Sequence, residues 1–92
     1  MTASETTFTV SEAESKFWET GIQLRQDTWK EFNQRQPDYG DVWLDLDLDT
    51  LCGTVRAEAN RIRPEMTKEK LRHRIIDLNA YLTMLYRKCE EE

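Results

Sequence analysis

Histidine occurs once, cysteine and proline twice each and glycine three times in the 92 residues. Each scarcity removes a class of function. The lone His73 has no Ser or Cys nucleophile at recognisable spacing, which excludes a nucleophile–base pair read from sequence; it is expected at the surface or in an interface. Cys52 and Cys89 are too few and too far apart for a disulfide framework. With one His and no C-x-x-C or H-x-x-x-H pair, they also fall short of the about four ligands of a zinc site. Both are expected as buried free thiols on apolar helix faces. The glycines form neither a phosphate-cradling loop nor a dinucleotide fingerprint. No apolar run approaches the roughly 20 residues of a membrane span, and "MTASETTFTV" has neither the basic start nor the apolar centre of a signal peptide. A soluble, cytoplasmic chain with no membrane partner is therefore expected.

What the chain does contain is charge, and it is unevenly spread. The net charge of -5 resolves into -2 over residues 1–36, -5 over 37–49 and +2 over 50–92. The stretch "QPDYGDVWLDLDLDT" holds five Asp and no base, so it accounts for the acidity. Neither a nucleic-acid binder nor a uniformly acidic mimic of DNA fits that distribution. An apolar content of 38% suffices for one small domain with a thin core.

Hydrophobic periodicity divides the chain into an arm, three helices and an acidic connector. Residues 1–10 read as a flexible N-terminal arm and 11–92 as a single helical domain. "SEAE" is a capping box in which Ser11 and Glu14 serve each other's backbone, placing a helix start near Glu12. Trp18, Ile22, Trp29 and Phe32 make one stripe of that helix, with Ala13, Phe17 and Leu24 beside it. Pro37 is expected to stop it near Arg35. "WLDLDLD" alternates like a strand but has no second strand to pair with, and is read as an extended or turn-like lead-in to a helix capped by Asp47 or Asp49. Leu48, Leu51, Val55, Ala59 and Ile62 continue that helix until Pro64, with Gly53 leaving room for a close helix contact. Thr67 caps a third helix running to about Lys88. Leu71, Ile75, Leu78, Leu82, Leu85 and Cys89 step by four and three along one face, and Ile76, Ala80 and Met84 lie opposite. A helix apolar on both sides is expected between neighbours, so a dimeric or higher helical bundle assembled through it is expected.

Asp45, Asp47 and Asp49 invite comparison with a calcium loop, but counting from Asp45 the sixth and twelfth positions hold Thr50 and Arg56 where Gly and an acid are needed. Capping and solubility are the expected roles of the three acids, with a magnesium-phosphate role for one of them as the alternative. Asp77 lies in the most apolar helix, which calls for a partner or a function. Salt bridges to Arg74, Arg61 or Arg56 are one reading. Convergence with Glu58 on a metal is the other. The three Trp and Phe17 sit at helical spacing and are read as core.

A helix with a basic end, then "DYGDVW", a Leu-rich helix containing "ANRI", and "RIIDLNAYLTMLYRK" together resemble small nucleotide-modification-associated proteins. These are related to the MazG-like, all-α nucleoside triphosphate pyrophosphohydrolases. The likeness spans about residues 28–88. It implies an oligomeric helical fold with magnesium and nucleotide phosphates held between facing helices. Asp38, Glu58 and Asp77 would be the metal acids, and Arg35, Arg61, Tyr39 and Tyr81 the substrate-binding residues; no catalytic residue is assigned. The implied reaction is attack of metal-activated water on a phosphate, giving a monophosphate and pyrophosphate. The enzymes carry E-E-x-x-E on one helix and E-x-x-D on the next, whereas here Glu58 stands alone and Arg74 gives R-x-x-D. An alternative reading is a non-catalytic helical adaptor or inhibitor that docks a protein partner through residues 38–49.

Overall fold

The computed structural model describes residues 11–39 and 42–90, the side chains of 36–39 excepted. Within them the chain forms α1 (Glu12–Tyr39), α2 (Leu48–Ala59) and α3 (Lys68–Glu90), a 3-10 turn at Val42–Asp45, and no strand. The arm expected over residues 1–10 lies outside the described residues.

Each helix starts on a side-chain cap. At α1 the Ser11 N–H donates to Glu14 Oε1 at 2.9 Å and the Glu14 N–H donates to Ser11 Oγ at 3.1 Å, satisfying two of the backbone donors that a helix start leaves unpaired. At α2 it is Asp47 that caps: its backbone is extended and its carboxylate accepts from the Thr50 N–H at 2.8 Å. At α3 the Lys70 N–H donates to Thr67 Oγ1 at 3.2 Å.

Two ends differ from the sequence expectation. The first helix continues through Pro37 to Tyr39 rather than stopping near Arg35. Pro37 has no N–H to donate to the carbonyl four residues earlier, so the last turn forms with one backbone bond missing, and the helix ends two residues later at Tyr39. The second ends at Ala59, not at Pro64: Asn60 N–H donates to Arg56 O, Arg61 N–H to Glu58 O and Ile62 N–H to Ala59 O. The chain thus unwinds through three-residue turns ahead of Arg63, whose helical backbone Pro64 disfavours.

The third helix lies in the middle, packed against α1 on one side and α2 on the other. Its Met84 is only 4% exposed, and Ile76 and Ala80 are half-buried. The face thought to need a second chain is therefore largely covered within one chain, because α1 is long enough to lie along it. The seam of the other face is uneven: Leu71, Leu78 and Leu85 are half-buried, whereas Ile75, Leu82 and Cys89 are exposed. Gly53 holds no close contact, since a Cβ there would meet nothing within 4 Å.

Polar and aromatic contacts set how α1 sits on α3. The buried Thr28 hydroxyl donates to Leu24 O at 2.7 Å and accepts from Asn79 Nδ2 at 2.9 Å. Further along, Arg35 meets Asp77, so the two helices run antiparallel. Trp29 stacks on Phe32 at 6.4 Å, and Phe32 meets Trp43 edge-on at 6.3 Å. That contact draws the acidic connector against α1, and Lys88 Nζ donates to Leu44 O at 3.0 Å from the end of α3. Among the described residues the buried apolar side chains are only Leu51 and Met84. No helix there is long and apolar enough to cross a membrane.

Candidate functional site

The antiparallel register of α1 on α3 brings a charged cleft together. Glu31 and Arg35 stand one turn apart on α1, as His73 and Asp77 do on α3, so each pair shares a helix face. Arg35 Nε lies 2.9 Å from Glu31 Oε2 and its Nη1 lies 3.9 Å from Asp77 Oδ1. Ligand-type atoms of Glu31, His73 and Asp77 all fall within 4.8 Å of one another. Arg35, Met66, Lys70, His73, Arg74 and Asp77 line an adjoining cleft of about 530 Å³. One carboxylate, an imidazole and three cationic side chains thus line one cleft, with the Glu31 carboxylate beside it. Such a mixture can take a polyphosphate on its guanidinium and ammonium groups and a divalent ion on its carboxylates.

Of the residues named from the sequence, Arg35 and Asp77 meet in this cleft. The partner of Asp77 is thus Arg35 of the first helix, in place of the Arg74, Arg61 or Arg56 considered above; α1 lies along α3 in a register that carries Arg35 there. Glu58 and Arg61 form a separate pair, Arg61 Nη1 at 3.3 Å from Glu58 Oε2. Glu58 is not among the ligand-type residues that converge on Asp77. Its other oxygen, Oε1, is buried with no hydrogen-bond partner. Tyr81 is half-buried one turn after Asp77 on α3. Asp38 and Tyr39 lie in the last turn of α1, where side chains are outside the described residues. Glu31 and Lys70 join this site without having been named from the sequence, and His73 and Arg74, read there as a surface residue and as an ion-pair candidate for Asp77, join it too. The signal that could have found them is the pair of four-residue spacings, Glu31 to Arg35 and His73 to Asp77.

A second cleft, of about 270 Å³, opens further along the α1–α3 contact. It is mostly apolar, lined by Trp29, Phe32, Trp43 and Met84 with Arg25 and Asn79 at its margin.

In the acidic connector, Asp45, Asp47 and Asp49 are exposed. Hydrogen bonds from the Thr50 hydroxyl and backbone hold the Asp47 carboxyl below its ordinary range. No family model matches the chain, and no curated protein or solved structure matches it.

Proposed function

We propose that the chain is a cytoplasmic, MazG-like nucleotide-binding or nucleotide-processing protein that works as a homo-oligomer, with its phosphate site in the cleft between α1 and α3. The observation that carries this reading is the meeting of Arg35 and Asp77 across two helices, at positions the family resemblance assigns separately to phosphate and metal. A magnesium ion arriving with a polyphosphate needs only one or two protein carboxylates. Asp77 and Glu31 can offer them, while Arg35, Lys70 and Arg74 take phosphate oxygens. The unpartnered oxygen of Glu58 is a second place where a carboxylate is available to a cation. When bound, the ion would supply the positive charge that stabilises a leaving pyrophosphate. The reaction included in this reading is hydrolysis of a (deoxy)nucleoside triphosphate to monophosphate and pyrophosphate.

The test is thermal denaturation of the purified chain against a panel of nucleotides, with and without magnesium. Ligand at about 100 times its dissociation constant raises stability by about 2.7 kcal/mol. Asp77→Asn is expected to abolish the magnesium-dependent part of that gain, and Arg35→Ala the whole of it. Absence of any gain across the panel would exclude the reading.

One observation favours a non-catalytic adaptor or inhibitor instead. Val42, Leu44 and Leu48 are exposed beside the exposed Asp45, Asp47 and Asp49, a surface that suits a basic protein partner with apolar contacts of its own. Binding there would weaken with salt and would not need Asp77.

A further inference from the structure

The aromatic stripe of α1, read from the sequence as core, is mostly on the outside. Phe17 is 82% exposed, Trp18 70% and Trp29 64%, with Ile22 also exposed. Over residues 12–23 only Ser15 is even half-buried, so the first three turns of α1, about 18 Å of helix, stand clear of the other described residues. A free helix of that length is marginal in water even with a good cap. At 100° per residue Trp18, Gly21, Ile22, Arg25 and Trp29 share an arc of about 100°, and this arc runs on into the apolar cleft at Trp29, Phe32 and Trp43.

We propose that this stripe is the interface with a second copy of the chain, formed by antiparallel pairing of two α1 helices about a two-fold axis near Gly21 and Ile22. Three observations commit the surface to that occupant. The core of one chain, Leu51 and Met84 among the described residues, is too small for the cover of α1 to be optional, and a second copy is present whenever the chain folds. Trp18, Trp29 and Ile22 alone offer on the order of 400 Å² per chain, about half of the about 800 Å² per partner that a stable interface buries. The stripe is also complementary to itself. A two-fold between residues 21 and 22 sets Trp18 of each chain opposite Arg25 of the other, an indole face against a guanidinium. Gly21 lies at the crossing, where a Cβ would meet nothing within 4 Å in the single chain, leaving bare backbone for close approach.

Sedimentation of the full chain at micromolar concentration is expected to give a dimer, with or without nucleotide. Trp18→Glu combined with Ile22→Glu is expected to weaken the dimer at least about a hundredfold, as the loss of two central anchors does. Because such a monomer can fail to fold, a second measurement keeps the native stripe nearly intact. In a Cys52→Ser, Cys89→Ser background, Ile22→Cys is expected to form a covalent dimer on mild oxidation, and Thr20→Cys, on the opposite side of α1, is not. A wild-type monomer, an unchanged dimer in the charged variant, or equal cross-linking from both cysteines would overturn the proposal. A different protein on the stripe would appear as a wild-type monomer. None of these readings depends on whether nucleotide binds at Arg35 and Asp77.

Discussion

At the scale of single residues, the hydrogen bond from Asn79 to Thr28 and the ion pair between Arg35 and Asp77 act differently on the same helix contact. Thr28 is buried and its hydroxyl is the acceptor for Asn79 Nδ2 at 2.9 Å. Thr28→Val would leave that amide without its acceptor in a part-buried seam. It is expected to cost about 1–2 kcal/mol, read from chemical denaturation. Asp77→Asn should cost less. Arg35 keeps its 2.9 Å contact with Glu31 when Asp77 loses its charge, and the contact it gives up is long, so a change within about 1 kcal/mol is expected. Loss of magnesium-dependent nucleotide binding at nearly unchanged stability would mark Asp77 as a binding residue. A large loss of stability with binding intact would mark it as structural. Neither contact could be read from the sequence, because both join residues more than forty positions apart through the register of α1 on α3.

At the scale of elements, the caps and the glycines decide how firmly each helix is held. The lowered pKa of Asp47 means that its contribution to α2 is fully present above the pKa of the unfolded chain and is lost as pH falls through the lower, folded value. Melting temperatures of wild type and Asp47→Ala, measured from neutral pH downward, are therefore expected to differ most near neutrality and to converge in acid. Gly53 sits in the middle of α2 with open space where a Cβ would be. Gly53→Ala is accordingly expected to stabilise the chain by about 0.5–1 kcal/mol. A loss on thermal denaturation would instead restore the close contact expected from the sequence, made by another molecule. All three starts were legible beforehand, because a cap is chemistry between residues three apart. The ends were not, because Pro37 lies within α1 and Pro64 lies beyond a turn that had already closed α2.

At the scale of the whole molecule, the largest exposed apolar side chains lie on the first helix, although the third also exposes Ile75, Leu82 and Tyr86. One chain largely covers Met84, Ile76 and Ala80, and leaves Phe17, Trp18 and Trp29 to solvent. An assembly that matters for stability should therefore be disrupted at Trp18 and Ile22. Met84→Asp should unfold the single chain instead of releasing intact monomers, by burying a charge against Phe32 and Trp43. Circular dichroism and sedimentation on the same samples separate the two outcomes.

The sequence by itself determined the helical class, the number of helices, the caps of the first and third, the Asp pair from which the second takes its cap, and the acidic connector between the first two. Those follow from spacings of three and four residues and from side chains that reach their own backbone. Only the tertiary structure decided which apolar stripe is covered, that Arg35 rather than Arg74, Arg61 or Arg56 faces Asp77, and that Glu31 and His73 stand beside them. Periodicity fixes the direction of a side chain around its own helix axis. The register and crossing of two helices come from how Thr28, Asn79, Phe32 and Trp43 pack, and no local pattern along the chain encodes that.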